Sequence, residues 1–154
     1  MLTAEQTQQY LTKIHFSGAA RPELSTLCQL QRQHLLYIPY ENLDILNGTP
    51  LSLEPERLFE KIILHQRGGY CFELQGLYKE LLESIGFSVC QYAGRFMNPP
   101  DIIQMRRHRI LVVTLNGKRY LTDIGVRGGI AADTYGADRG IGAGRWDFSL
   151  SLPP

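Results

Sequence analysis

The chain has 154 residues, 44% hydrophobic and 20% charged, with 16 Lys and Arg against 15 Asp and Glu for a formal net charge of +1. That is the composition of an ordinary globular protein, one modest domain or two small halves, and the balanced charge argues against binding along a phosphate backbone. The N-terminal segment lacks the basic and apolar regions of a secretory signal, and no apolar run is long enough to span a bilayer. Three widely spaced cysteines, Cys28, Cys71 and Cys90, fit a reducing compartment better than a disulfide framework, so the expectation is a cytoplasmic protein without nucleic-acid or membrane partners.

The first 86 residues read as helices. Thr3-Ala4-Glu5-Gln6 has the form of a capping box and opens a helix to about Ile14. A second helix follows Pro22 and carries Leu24, Leu27, Leu30 and Leu35, and a loop from Ile38 to Leu46 ends at the turn signal Asn47-Gly48. Pro55 suits the first turn of a third helix with Leu58, Phe59, Ile62 and Ile63 facing inward. Arg67-Gly68-Gly69 breaks that helix. A fourth begins near Tyr70, and its apolar positions Leu74, Leu77, Tyr78, Leu81, Leu82 and Ile85 mark one face of a 3.6-residue period ending at Gly86.

The pattern then switches to strands. Phe87 to Met97 is one candidate, and His108–Leu115 and Lys118–Ile124 are two more, joined by the hairpin signal Asn116-Gly117. From Gly128 onward the chain is rich in Gly and Ala, lacks Lys, Glu, Gln and Asn, and carries no period. It reads either as a mobile terminus or as a segment foreign to the original fold, such as the product of a shifted reading frame. There is no internal repeat.

Chemistry concentrates at three residues. Cys71 sits one residue inside the fourth helix, where unpaired N–H groups and the macrodipole favour a thiolate, although most free cysteines are simply small core residues. A two-residue turn at Asn116-Gly117 pairs Leu115 with Lys118, Ile110 with Asp123 and His108 with Gly125. Asp123 is then a diagonal neighbour of His108 on one face, roughly 7–8 Å away by backbone. A carboxylate on one imidazole nitrogen fixes the tautomer and leaves the other as a base for a nucleophile, for which Cys71 is the best candidate; the plainer reading is a structural surface pair. His15, His34 and His65 have no such company, and His15 and His34 are placed near helix surfaces or ends. Cys28, Cys90 and the histidines lack metal-ligand spacing, so no metal is expected.

These residues lie in segments that resemble a known family. Arg67-Gly68-Gly69-Tyr70-Cys71-Phe72-Glu73-Leu74 is similar to the signature around the nucleophilic cysteine of the arylamine N-acetyltransferases. Ile38-Pro39-Tyr40-Glu41-Asn42-Leu43-Asp44 resembles their upstream segment, His108-Arg109-Ile110-Leu111-Val112-Val113 the strand opening with their histidine, and Tyr120-Leu121-Thr122-Asp123-Ile124-Gly125-Val126 the segment with their aspartate. Order and spacing agree, and the resemblance covers about residues 1 to 129.

The resemblance implies an α+β fold: an N-terminal helical bundle over residues 1–86, then the start of an antiparallel β-barrel-like domain over 87–129, together a cysteine-protease-like core, with an irregular tail over 130–154 unlike the family. It implies acetyl-CoA as donor substrate, an arylamine or hydrazine as acceptor, and ping-pong transfer through a Cys71 thioester with His108 as base and Asp123 as its orienter. The amide of Cys71 is a candidate oxyanion donor, and Glu41 with Arg67 is expected to buttress the cysteine from below. Phe72 and Val126 are assigned to the amine pocket, Arg127 and Gly128 to the cofactor side. Val126 and Arg127 stand where the family usually has an aromatic and then glycine, which implies a wider pocket with less stacking surface.

Family members are nearly twice as long, so this chain is expected to lack the remaining barrel strands and the third domain that complete the cleft, with exposed strand edges and weak activity as consequences. Two other functions remain open at the level of sequence: a papain-like amide hydrolase using the same triad, and an inactive fragment or binding module of the family.

Overall fold

A computed structural model describes residues 1–95 and 105–125, and the backbone of Tyr135–Gly136. It places five helices before a four-stranded antiparallel sheet in the order β1-β2-β3-β4. Helix α1 (Ala4–Lys13) starts at a capping box in which Thr3 Oγ1 accepts from Gln6 N and the Gln6 side chain accepts from Thr3 N. Helix α2 spans Leu24–Tyr37. The segment read as a loop from Ile38 contains a single helical turn, α3 (Leu43–Leu46), whose start is held by Leu43 N donating to Glu41 Oε2 at 2.7 Å.

Helix α4 (Pro55–Phe59) begins at the expected proline but does not continue as an α-helix. Glu60–Leu64 forms a π-helical turn, closed by His65 N donating to Glu60 O. Leu58, Phe59, Ile62 and Ile63 are buried as the spacing requires, while the wider turn carries Lys61 toward the next helix. That helix, α5 (Cys71–Ile85), is the centre of the core, with Leu74, Leu77, Tyr78, Leu81 and Leu82 fully buried, and it ends at left-handed Gly86 with φ 101°.

Strands β1 (Ser88–Gly94), β2 (His108–Leu115) and β3 (Lys118–Thr122) form a meander. β1 is shorter than the expected strand from Phe87; Met97 lies outside the described residues. The hairpin register is the expected one, with Leu115 opposite Lys118 and Asn116 and Gly117 both at positive φ. The β2–β3 ladder stops at Leu111–Thr122, however, short of the anticipated His108–Gly125 pair. The reason lies in α2: Gln31 Oε1 accepts from Thr122 Oγ1 at 2.6 Å and from Asp123 N at 3.1 Å, so the chain is drawn onto the helix instead of continuing along β2. Tyr135–Gly136, in the segment expected to be irregular, forms β4 against β3. The rest of 126–154 lies outside the described residues.

His34 corrects the sequence reading. It is 1% exposed and sits between Tyr10 and Tyr78, with ring centroids 5.9 and 5.6 Å away. It shares the inner face of α2 with Leu27, Leu30 and Gln31 at helical spacing, and neither ring nitrogen has a hydrogen-bond partner among the described residues. Burial pushes its pKa from 6.5 down to about 3. The folded chain therefore holds His34 neutral while the unfolded chain protonates it first. Its contribution to stability is full above pH 6.5 and is lost, at about 1.4 kcal/mol per unit, as pH falls toward about 3. Urea unfolding is expected to show about 2 kcal/mol less stability at pH 5 than at pH 7, and His34→Phe to flatten most of that difference. An unchanged acid slope in the variant would show that the slope arises elsewhere.

Candidate active site

The site forms where the N-terminus of α5 meets the first residues of β2 and the chain just past β3. Two loops set the start of α5. Gly69 bridges in parallel to Tyr40, with Glu41 N donating to Gly69 O at 3.0 Å and Gly69 N to Pro39 O at 3.3 Å. The two segments that carry the first two motifs are thus joined backbone to backbone.

A chain of charges fastens that join. Arg67 donates to Glu41 Oε1 through Nη2 at 2.8 Å and Nε at 3.2 Å, and its Nη2 also reaches Asp44 Oδ1 at 2.9 Å. Lys61 Nζ, delivered by the π turn, lies 2.7 Å from both Asp44 Oδ2 and Glu73 Oε1. Glu73 Oε2 accepts from Tyr70 N at 2.9 Å, closing the circuit at the N-cap of α5. Hydrogen bonds from Lys61 and then Arg67 hold the Asp44 carboxyl below its ordinary range. The expected Glu41–Arg67 pair is present, and Asp44, Lys61 and Glu73 extend it; sequence reasoning did not place these three.

Cys71 is the first residue of α5 and is 3% exposed. Its Sγ lies 3.8 Å from Arg107 O, which also accepts from the Tyr70 hydroxyl at 3.3 Å, and the cysteine is close enough to His108 and Tyr70 to push both of their pKa values up. His108, 1% exposed, places Nε2 2.7 Å from Asp123 Oδ2, leaving Nδ1 for the cysteine side. Asp123 Oδ1 accepts from Gln75 Nε2 at 2.6 Å and Gly125 N at 2.9 Å. The three residues singled out for chemistry therefore meet in one buried cluster, with Gln75 and Gln31 as additional supports of Asp123. Gln75 lies one helical turn after Cys71 and is fully buried, a polar residue at a core position of α5, which is the signal that identifies it.

Burial works against charge on His108, but the hydrogen bond to Asp123, then that to Cys71, outweigh it and raise the imidazole pKa to about 9. His108 is thus cationic at neutral pH. Its contribution to stability is full below pH 6.5 and fades as pH rises through about 9, opposite in sign to that of His34 and in a separate window. Burial and the Cys71 hydrogen bond push the Tyr70 phenol up to about 12, so it is a donor across the working range.

Phe72 stacks on Tyr70 with centroids 5.7 Å apart, and Tyr40 lies 6.2 Å from Tyr70, giving an aromatic wall beside the sulfur. Val126, Arg127 and Gly128, assigned to the pocket and the cofactor side, lie outside the described residues. His15 packs against Tyr37, with ring centroids 4.2 Å apart and planes tilted by 36°. Among the described residues no cluster of His, Cys, Asp and Glu has a metal-binding arrangement, and no helix is long and apolar enough to cross a membrane.

Comparisons with known proteins converge on one group. A family model described as N-acetyltransferase matches residues 23–133, four residues past the limit read from the sequence motifs. The arylamine N-acetyltransferase of Escherichia coli (strain K12) is 38% identical over 121 residues, covering 77% of this chain and 43% of that protein. Among solved structures, the arylamine N-acetyltransferase from Salmonella typhimurium matches with a TM-score of 0.85 and 32% identity over 94% of this chain and 53% of the other. The Mycobacterium marinum arylamine N-acetyltransferase, solved in complex with CoA, matches with a TM-score of 0.77 and 35% identity over 83% of this chain and 49% of that chain. The chain spans less than half the length of the curated relatives it matches.

Proposed function

The chain belongs to the arylamine N-acetyltransferase family, and from that premise we propose that its Cys71–His108–Asp123 cluster moves an acetyl group from acetyl-CoA to an arylamine or hydrazine. The observation that carries the reading is the setting of His108: Nε2 is held at 2.7 Å by buried Asp123, and Cys71, at the start of α5, is near enough to help raise the imidazole pKa.

In the first half-reaction the Cys71 thiolate attacks the thioester carbon of acetyl-CoA. The carbonyl oxygen takes up the negative charge, and the Cys71 N–H, which has no intrahelical acceptor at the first position of α5, is positioned to bind it. The S–C bond to CoA breaks, CoA leaves as its thiol with a proton from the His108 imidazolium, and acetyl-Cys71 remains. In the second half-reaction the amine nitrogen attacks the acetyl carbon, His108 takes the amine proton, and Cys71 departs as thiolate beside a recharged imidazolium. Asp123 keeps Nε2 protonated throughout, so Nδ1 carries the proton traffic. The CoA-bound relative supports the choice of donor. The aromatic wall of Tyr40, Tyr70 and Phe72 supports a flat acceptor. The helical half and the antiparallel sheet, meeting at a Cys–His–Asp cluster, also support the reading of a cysteine-protease-like core whose sheet belongs to a barrel-like domain. Cytoplasmic residence is part of the same reading.

The test is incubation of the purified chain with acetyl-CoA alone, followed by intact mass and peptide mapping. One acetyl group on Cys71, absent from Cys71→Ala and transferable to an arylamine, is the expected result. Unmodified Cys71 after prolonged incubation would sink the reading for this chain, and hydrolysis of peptide amides without acetyl-CoA would favour a hydrolase instead.

A further inference from the structure

We propose that Arg109 is a positioning residue, its guanidinium seated on Gly76 of α5 so that it clamps the start of β2 to the first turn of that helix and sets His108 against Cys71. The starting point is a glycine that conformation does not explain. Gly76 lies inside α5 at ordinary helical backbone angles, where glycine is about 1 kcal/mol worse than alanine. A Cβ at this position would lie 2.9 Å from Arg109 Nη1 and 3.1 Å from Leu58 Cδ1, so the bare backbone makes room for the guanidinium.

Seated there, Arg109 joins three elements. Nη1 donates to Phe72 O at 3.1 Å, the carbonyl one residue beyond Cys71 whose helical partner is the Gly76 N–H. Nη2 donates to Gln91 Oε1 on β1. The backbone of Arg109 is the residue after His108. On the other side of His108, Arg107 O receives the Tyr70 hydroxyl and faces Cys71 Sγ. Both neighbours of His108 therefore touch the start of α5.

The clamp answers a weakness of the sheet. Among the described residues the β2–β3 ladder ends at Leu111, and His108, Arg109 and Ile110 pair with Gly94, Ala93 and Tyr92 of β1. A slip of one residue in this pairing would turn His108 away from the cysteine. The charges acting on Arg109 come from α5: burial pushes its pKa down, while Glu80 and then Cys71 act in the opposite direction. His108, Tyr70 and Tyr40 also act on or feel Cys71, and Arg107 lies against both Cys71 Sγ and Tyr70.

The proposal rests on Cys71 and His108 being the reacting pair, and its test uses no acetyl donor. Iodoacetamide alkylation of the full chain would be followed from pH 5 to 9 with peptide mapping, Cys28 and Cys90 serving as internal references, alongside a thermal melt. Arg109→Gln is expected to slow Cys71 alkylation at pH 6 about tenfold and to move the acid limb of its profile up by about one unit, with the reference cysteines unchanged and the melt still cooperative. Gly76→Ala should shift the profile in the same direction although every charge remains. Arg109→Lys should fall between, since an ammonium cannot span Phe72 O and Gln91 Oε1 together.

An unmoved Cys71 profile in folded Arg109→Gln would overturn the proposal. If Arg109→Gln does not fold, Arg109→Lys decides, and a wild-type profile there overturns it. A chain that shows the shifted profile yet takes no acetyl group from acetyl-CoA would count against the transferase reading alone.

Discussion

Asp123→Asn is expected to slow acylation of Cys71 by acetyl-CoA on the order of a thousand- to ten-thousandfold while leaving the chain folded. The argument is one of hydrogen-bond direction. Asp123 is 4% exposed and accepts three bonds: His108 on Oδ2, and Gln75 and Gly125 N on Oδ1. Asparagine supplies one acceptor oxygen and one donor nitrogen. Two of the three partners sit at Oδ1, and the Gly125 N–H cannot be reversed, so the oxygen settles there and the amide nitrogen faces His108 Nε2. That nitrogen must then be unprotonated, which forbids the imidazolium: the neutral ring keeps its single proton on Nδ1, cannot take that of Cys71, and leaves the sulfur a thiol. The opposite flip would strand the Gly125 N–H, at a cost of about 1–3 kcal/mol for an unpaired buried group, even if Gln75 turned its unpartnered Oε1 toward the new amide. Single-turnover acylation followed by mass measures the rate. A loss of less than tenfold would mean that Asp123 does not set the tautomer.

The elements that sequence made legible are those whose signal is local. The apolar period of α5 marked Leu74, Leu77, Tyr78, Leu81 and Leu82 as buried, missing only that Ile85 is half-buried and that Cys71, Glu73, Gln75 and Gly76 are also buried, and Asn116-Gly117 set the β2–β3 register because a two-residue turn leaves no freedom in pairing. His34 was misplaced although its position held the information. It follows Leu27, Leu30 and Gln31 at helical spacing, and only its polarity argued for the surface. The π turn is invisible because one residue of extra width over a single turn leaves no period to detect, yet it is what brings Lys61 between Asp44 and Glu73. The supports of Asp123 come from Gln31 and Gln75, residues distant from it in sequence and carrying no motif of their own. The three residues that meet in the cluster were thus readable, whereas the groups that surround and hold them depend on tertiary packing.

Gly68→Ala is expected to be the most damaging substitution in the loops that hold the site. A Cβ on Gly68 would lie 2.1 Å from Pro39 O, 3.0 Å from Pro39 C and 2.8 Å from Glu41 Cγ. Gly68 is not among the residues at positive φ, so the whole cost is steric, and two of the three obstacles are backbone atoms that no rotamer change removes. Relief requires the two loops to part, which breaks the Tyr40–Gly69 bridge and the Gly69 N–Pro39 O bond and moves Glu41 off Arg67. Overpacking of this kind costs about 3 kcal/mol or more, and the displaced start of α5 carries Cys71 with it. Gly48 is the matched control: with φ 70° and nothing within 4 Å of a built Cβ, alanine there meets only backbone strain of about 1 kcal/mol and leaves the site untouched. Urea unfolding and acylation rate measured on both variants separate the two effects. Gly68→Ala should lose stability and acylation together, Gly48→Ala only a little stability. Equal losses at the two positions would show that the contact between the Pro39 and Gly68 loops does not hold the site.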